Sequence, residues 1–187
     1  SYHNMINRKG LICVMKTKVS LLLTGSELMN GDVIDTNSIM FAEQLNTIGL
    51  SIDKKVTVGD DQLLLMAEIT QLSQTSDLLI INGGLGPTTD DLTAQVLSLA
   101  SNTDLTLNEQ AHLHLQAWAK KRNTTLNKPN LKQAYLPSNC HVIDNRTGSA
   151  VGFSVEFNQC FIISLQPYFV FFCWECKKTS MMLITPV

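Results

Sequence analysis

Apolar and polar positions along this chain alternate in blocks that predict strands separated by helices. Val19–Thr24 is a short apolar run of strand length, and Ile52–Val58 predicts a second strand. Residues 77–82 predict a third strand, which is apolar almost throughout and is therefore expected to be buried on both faces. Because strands that alternate with helices are typical of βαβ units, we expect a largely parallel sheet.

Apolar side chains spaced three and four residues apart predict helices between and after these strands. The predicted buried faces are, in chain order, Phe41, Leu45 and Ile48; Leu65, Ile69 and Leu72; Leu92, Val96 and Leu99; and Ala111, Leu115 and Trp118. Gly49 is placed to end the first helix, and Asp60 or Asp61 to cap the second. Further short strands are predicted at 134–136, 141–143, 151–157 and 160–163.

The most specific local pattern follows the third strand, where residues 82–93 read NGGLGPTTDDLT. Glycines let the backbone bend sharply and approach a ligand, and the helix start behind them offers N–H groups that suit a phosphate. The adjacent carboxylates of Asp90 and Asp91 would repel a phosphate unless a cation lay between them. Magnesium binds carboxylate and phosphate oxygens together, so the pattern predicts a nucleotide-like phosphate bridged to the protein by this metal.

A simpler interpretation of the same residues stays open. Thr88 or Thr89 can cap a helix, with Asp90 and Asp91 favoured in its first turn by the helix dipole. This interpretation explains the Thr-Thr-Asp-Asp segment but not the glycines that crowd the end of the strand before it.

Because loops that follow parallel strands meet at one edge of a sheet, we also expect residues 24–27 and 83–91 to form one crevice.

Bulk composition narrows the class of protein. A chain of 187 residues that is 44% apolar and 16% charged is expected to form one soluble globular domain. The formal net charge of −2 favours neither nucleic-acid binding nor a membrane partner, and no apolar run is long enough to predict a membrane span. The five cysteines are odd in number and scattered, which favours reduced thiols in the cytoplasm over a disulfide framework.

Four separated blocks of sequence follow the pattern of one known family. The blocks are Thr24-Gly25-Ser26-Glu27-Leu28 with Gly31 and Asp35-Thr36-Asn37; Val58-Gly59-Asp60; Gly83-Gly84-Leu85-Gly86-Pro87-Thr88 with Asp90-Asp91-Leu92-Thr93; and Lys132-Gln133-Ala134 with Pro137, Asn145 and Gly148. In this order they resemble the amino-terminal domain of the competence/damage-inducible CinA proteins, within the molybdopterin-binding-domain superfamily. The third block is highly specific, whereas each of the others alone is weak.

The resemblance implies a three-layer α/β/α domain with a mostly parallel sheet, usually a homodimer. It further implies magnesium-dependent hydrolysis of the pyrophosphate in ADP-ribose-like nucleotides, with or without an additional monovalent cation. The wider superfamily binds pterin nucleotides and transfers adenylyl groups, so adenylyl transfer onto a molybdopterin-related ligand is an alternative. A non-catalytic remnant that still binds a nucleotide or pterin is another.

The resemblance also assigns roles to residues. Asp90 and Asp91 are implied to hold the metal and to act in catalysis, with Lys132 neutralising a phosphate oxygen. The residues implied to bind phosphate or nucleotide are Gly25, Ser26, Glu27, Asn37, Gly83, Gly84, Gly86, Thr88 and Asn145.

We expect the domain to occupy residues 15–163. Residues 1–14 are expected to be an upstream or non-native extension, because Met15 resembles a natural start. After Ile163 the family has a Pro-Gly-x-Pro turn that this chain lacks, so residues 164–187 are predicted to form an atypical tail. Many CinA proteins continue into a second domain that deamidates nicotinamide mononucleotide, and we expect no such domain in these 187 residues.

Overall fold

The computed structural model describes residues 2–6 and 12–166, with side chains from residue 17 onward. The strands in these residues are β1 (Tyr2–Ile6), β2 (Ile12–Lys16), β3 (Val19–Thr24), β4 (Ile52–Val58), β5 (Leu78–Asn82), β6 (Leu105–Leu107), β7 (Tyr135–Pro137), β8 (His141–Ile143), β9 (Gly152–Phe157) and β10 (Cys160–Leu165). The helices are α1 (Ser26–Met29), α2 (Asn37–Thr47), α3 (Gln62–Thr75), α4 (Thr93–Ala100), α5 (Glu109–Lys121) and α6 (Lys128–Lys132).

A six-stranded sheet in the order β4-β3-β5-β10-β9-β8 forms the centre of the domain. The first four of these strands are parallel to one another, whereas β9 is antiparallel to both of its neighbours. The register aligns Asn82 of β5 with Leu23 of β3 and with Leu165 of β10. The prediction of a mostly parallel sheet is therefore confirmed.

Helices cover both faces of this sheet and so make three layers. Side chains alternate between the faces of β3, because Leu22 packs in one apolar cluster while Leu21 and Leu23 pack in the other. Phe41 and Leu45 of α2 belong to the second cluster, and residues of α3, α4 and α5 belong to the first. The predicted three-layer α/β/α architecture is thus confirmed, and burial of each such leucine contributes roughly 1.5–3 kcal/mol.

Most of the predicted elements before residue 93 are present where the apolar periodicity placed them. Asp61 rather than Asp60 caps α3, accepting a hydrogen bond from the Leu64 amide at 2.9 Å. Gly49 follows Ile48, the capping residue of α2, with a φ of +77°, the left-handed conformation that ends many helices. The final strand, β10, continues two residues past the predicted end, to Leu165.

Two helix faces differ from the prediction. Leu99 of α4 is 54% exposed, and the buried apolar side chains of this helix are Val96 and Leu97. Its inward face includes Thr93, Val96 and Leu97, and Leu99 falls outside it. On α5, Ala119 rather than Trp118 is among the buried residues.

Several short elements were not predicted: the helices α1 and α6 and the strands β1, β2 and β6. α6 has five residues and is held by a capping box between Asn127 and Asn130, and the exposed strand β6 pairs with β7. β1 and β2 pair only with each other among the described strands.

Residues 1, 7–11 and 167–187 lie outside the described residues, so the domain boundaries at 15 and 163 stay predictions. In the described part of the chain, no helix has the length and apolar character needed to cross a membrane.

Candidate functional site

The carboxyl ends of four parallel strands meet at an open pocket of about 540 Å³. Gly25, Asp60, Gly83 and Gln166 line it, and they lie just after β3, β4, β5 and β10 respectively. The prediction that residues 24–27 and 83–91 share one crevice is confirmed. The volume is within the usual range for pockets that bind small molecules, roughly 300–1,000 Å³.

Residues 83–92, here called the glycine loop, connect β5 to α4 and are held by the backbone around them. The Gly83 amide donates to the carbonyl of Leu165 at 3.0 Å, and the Thr93 amide donates to the carbonyl of Gly84 at 3.1 Å. The Thr93 hydroxyl also donates to the carbonyl of Gly83 at 2.9 Å. These bonds join the loop to both β10 and the start of α4.

Glycine is required at the first two positions of this loop. Gly83 has a φ of +113° and Gly84 a φ of +66°, which other residues rarely adopt. A Cβ atom on Gly83 would overlap the carbonyl oxygen of Thr24, and one on Gly84 would overlap the Thr93 hydroxyl. The close approach of β3, β5 and α4 therefore depends on the missing side chains.

The simpler interpretation, in which a threonine caps the helix, is wrong. α4 begins at Thr93, and its capping position is Leu92, which makes no side-chain cap. Instead, Asp91 Oδ2 accepts hydrogen bonds from the amide and the hydroxyl of Thr88, at 2.8 and 2.6 Å. Asp90 is exposed to solvent, and its Oδ1 accepts from the Thr89 hydroxyl at 3.3 Å. Both carboxylates lie before the helix and not in its first turn.

The pocket is acidic. Four carboxylates line it, those of Glu27, Asp60, Asp90 and Asp91, and no lysine or arginine is among its lining residues, all of which are described. A pyrophosphate would meet only like charge there unless cations entered with it. The described residues contain no group of three or more His, Cys, Asp or Glu side chains placed to hold a metal. This donor set fits magnesium, which commonly binds through one or two carboxylates, substrate phosphates and water.

Lys132 contacts the glycine loop but does not line the main pocket. Its Nζ donates to the carbonyl oxygen of Thr88, and it lines a smaller recess of about 40 Å³ that adjoins the main pocket. Gly84 and Asp91 line both spaces, whereas Gly86 lines the recess. A Cβ on Gly86 would lie 2.6 Å from Asp91 Oδ2, so this glycine leaves room for the carboxylate.

The first loop, residues 25–36, borders the pocket on the opposite side. Ser26 and Asp60 bond reciprocally near its start, because the Ser26 amide donates to Asp60 Oδ2 at 2.9 Å and the Asp60 amide donates to Ser26 Oγ at 3.3 Å. Ser26 is thereby directed to Asp60 and is not among the lining residues of the pocket. Glu27 and Gly25 do line it, as predicted.

Asn37 and Asp35 fix the far end of the first loop. The side-chain Nδ2 of Asn37 donates to Asn82 Oδ1 at 3.0 Å, which joins α2 to the buried end of β5. Asp35 accepts from the Ser38 amide at 2.9 Å and pairs with Lys55 at 3.1 Å. Partial burial raises the pKa of Asp35, but the hydrogen bonds from Ser38 and the Lys55 charge outweigh it and hold this pKa below its ordinary value.

Asn145 is not among the lining residues of either space. Its Nδ2 donates to the carbonyl of Ala150 at 2.7 Å, and its Oδ1 accepts from the amides of Thr147 and Gly148 at 3.1 and 3.0 Å. The side chain therefore shapes its own loop. The direct nucleotide contact implied for Asn145 gains no support from this geometry and stays a prediction.

Several lining residues were not predicted as site residues, among them Asp60 and Gln166. Asp60 was considered as a helix cap and as part of the family block Val58-Gly59-Asp60, and Gln166 was assigned to the tail. Both lie within two residues of the ends of parallel strands, so the argument that joined the loops after β3 and β5 also applies to them.

Comparison with known proteins identifies the family of this domain. The family described as "probable molybdopterin binding domain" matches residues 20–172. The chain belongs to this family. A CinA-like protein from Colwellia psychrerythraea is 59% identical over 143 residues, which are 76% of this chain and 33% of that protein. The chain thus spans about a third of that curated relative, and the resemblance of its sequence blocks to CinA proteins is confirmed.

Solved structures also support the assignment of a molybdopterin-binding-type fold to this chain. The crystal structure of a CinA protein of unknown function from Thermoplasma acidophilum has a TM-score of 0.76 at 26% identity, covering 90% of this chain and 99% of that one. The molybdopterin biosynthesis Mog protein from Mycobacterium ulcerans has a TM-score of 0.56 at 18% identity, covering 89% of this chain and 95% of that one. At this identity the Mog likeness concerns the fold alone.

Proposed function

We propose that this domain hydrolyses the pyrophosphate of ADP-ribose-like nucleotides and that it requires magnesium to do so. The observation that carries the proposal is the position of Asp90 and Asp91 on the glycine loop, at a pocket lined by two further carboxylates. Such a pocket favours a phosphate ligand only when a cation accompanies it. The chain covers a third of its CinA-like relative, so the proposal concerns this domain only.

Each group near the glycine loop has a distinct role in this proposal. Asp90 and Asp91 would hold Mg²⁺ together with the phosphates, and backbone N–H groups of the loop would hold phosphate oxygens. Bound magnesium neutralises the pyrophosphate and lowers the pKa of an attacking water. Lys132 keeps the loop in place through Thr88 and adds positive charge behind it.

The reaction is a simple hydrolysis. The oxygen of water forms a bond to one phosphorus, and the bridging P–O bond breaks with its electron pair on the departing phosphate. One proton of the water stays on the new P–OH group, and the other goes to the departing phosphate oxygen. ADP-ribose and water thus give AMP and ribose 5-phosphate.

Release of AMP from ADP-ribose by the purified chain tests the proposal. We expect turnover with magnesium and none with EDTA, and Asp90→Asn or Asp91→Asn should lower kcat by more than about 100-fold. Asp32→Asn is the matched control, because it removes an exposed carboxylate of the first loop that does not line the pocket. Unchanged turnover in both site variants would show that the metal assignment is wrong.

One observation favours a second candidate, a domain that binds a nucleotide without cleaving it. The donors of Thr88 are already bonded to Asp91, so this carboxylate occupies groups that a phosphate would use. Hydrolysis requires Asp91 to turn from Thr88 towards the metal. ADP-ribose binding by the folded chain without AMP release in magnesium would support this candidate over hydrolysis.

A further inference from the structure

Gln133 is a buried amide at the recess behind the glycine loop. Only 6% of the residue is exposed, and neither its Nε2 nor its Oε1 has a hydrogen-bond partner among the described residues. It lines the recess together with Lys132, Gly84 and Asp91. The sequence block Lys132-Gln133-Ala134 thus places a charged and a neutral polar side chain side by side at this space.

An amide buried without partners requires an explanation, because nearly all buried polar groups in proteins are paired. Trp118 Nε1 and Ser164 Oγ are also buried and unpartnered among the described residues, but neither lines the recess or the main pocket. Gln133 is therefore the described orphan group that borders a space able to hold a partner.

The size of the recess limits what that partner can be. Its volume of about 40 Å³ compares with roughly 10–15 Å³ needed to hold one water. It therefore accommodates a few waters but not a nucleotide base or a ribose. An amide also both donates and accepts, as water does, so the two groups match in chemistry.

We propose that the recess holds ordered water bonded to Gln133, and that Gln133 positions the water that attacks the pyrophosphate. Gly84 and Asp91 border both the recess and the main pocket, so the recess adjoins the proposed phosphate site. A neutral amide can orient an attacking water without taking its proton, as glutamine does in other phosphoryl-transfer enzymes. The second half of this inference rests on the proposed hydrolysis; the water site itself does not.

A crystal structure of the chain at high resolution tests the water site directly. We expect density for at least one water within hydrogen-bond distance of the Gln133 amide. A recess without water, or an amide bonded to protein groups alone, would overturn the inference whether or not the chain hydrolyses ADP-ribose.

Kinetics of Gln133→Met test the positioning role. This variant keeps the length of the side chain but removes both polar atoms, and we expect kcat to fall at least tenfold while KM changes less than about twofold. Gln71→Met is the control for the same chemical change, because Gln71 is exposed on α3 and lines neither the recess nor the main pocket, and it should leave kcat within about twofold.

The contrary result has a distinct signature. If the buried amide has no ligand, removing it should raise the melting temperature by about 2–6 °C and leave kcat and KM unchanged. That outcome in an active enzyme would overturn the positioning role and leave the proposed hydrolysis intact. Absence of turnover in the parent chain would instead refute the hydrolysis and the positioning role together, with the water site still decided by the crystal structure.

Discussion

The two loops that border the pocket are held in very different ways. The glycine loop is bonded to β10, to α4 and to Lys132, and its first two glycines allow the backbone to pack against β3 and α4. The first loop is bonded to other elements near its ends, through Ser26 and Asp35, and its middle is bonded within the loop, as where the Asp32 amide donates to the Glu27 carbonyl. Val33 and Ile34 are 52% and 83% exposed although they line the pocket.

This difference divides the work between the two sides of the pocket. Groups that must meet a phosphate and a metal need a backbone of fixed position, and these groups lie on the tightly bonded glycine loop. The first loop offers exposed apolar side chains, which gain most when a ligand covers them. We therefore expect the glycine loop to govern stability and catalysis, and the first loop to govern how the rest of the nucleotide is held.

The largest effect is expected from adding one methyl group to the glycine loop. Because a Cβ on Gly84 would overlap the Thr93 hydroxyl and its φ is +66°, Gly84→Ala should lower the free energy of unfolding by about 3 kcal/mol. Gly31 in the first loop has a φ of +78° but open space around it, so Gly31→Ala should cost only about 1 kcal/mol. Urea unfolding measures both, and equal losses would contradict the role of close packing at Gly84.

Removing the charge behind the glycine loop should have the next largest effect. Lys132→Met keeps most of the side-chain length but loses the hydrogen bond to Thr88, and we expect ADP-ribose to bind about tenfold more weakly, by calorimetry. Lys55→Met makes the same change at a lysine that pairs with Asp35 and does not line the pocket, so it should alter affinity less than about twofold. Similar losses in both variants would mean that overall charge, rather than position, sets affinity.

The pH dependence of the free energy of unfolding tests whether Asp35 anchors the first loop. Its folded pKa is lowered, so the stability it contributes is present above the unfolded value of about 3.9 and is lost as the pH falls through the folded value. Asp35→Asn should lower the free energy of unfolding by about 1 kcal/mol near neutral pH, and this difference should vanish in acid. Urea unfolding at several pH values measures it; a difference that persists in strong acid would show that the ionised carboxylate is not its source.

The smallest effect is expected at the exposed middle of the first loop. Ile34→Ser should leave the free energy of unfolding within about 0.5 kcal/mol, because the side chain is already 83% exposed. It should weaken ADP-ribose binding by about two- to threefold, since less apolar surface is covered. Ile39→Ser, at a residue 60% exposed outside the pocket lining, is the control. If the two variants bind ADP-ribose with equal affinity, Ile34 does not contact the ligand.

The sequence predicted the sheet and its crevice well, because both follow from periodic burial. β3 and β4 match their predicted bounds, and the buried stripe of α3 includes Leu65, Ile69 and Leu72 as expected. The rule that parallel strands end at one edge then joined two distant loops correctly. The prediction for Leu99 failed because the spacing of Leu92, Val96 and Leu99 indicated the wrong face of α4, whose buried side includes Thr93, Val96 and Leu97.

The periodicity of apolar residues could not predict the contacts inside the loops. The bond from Thr88 to Asp91, and that from Thr93 to Gly83, depend on backbone angles that no periodicity reports. Burial of Gln133 likewise follows from how the five-residue helix α6 leads into β7, a segment too short to show a helical pattern.

The most direct test of the account is whether magnesium controls binding in this acidic pocket. A methylene analogue of ADP-ribose, which cannot be hydrolysed, would be titrated calorimetrically into the chain with magnesium and with EDTA. Since Glu27, Asp60, Asp90 and Asp91 all line the pocket, we predict at least about tenfold tighter binding with magnesium. Equal affinity in EDTA would contradict a metal-bridged pyrophosphate.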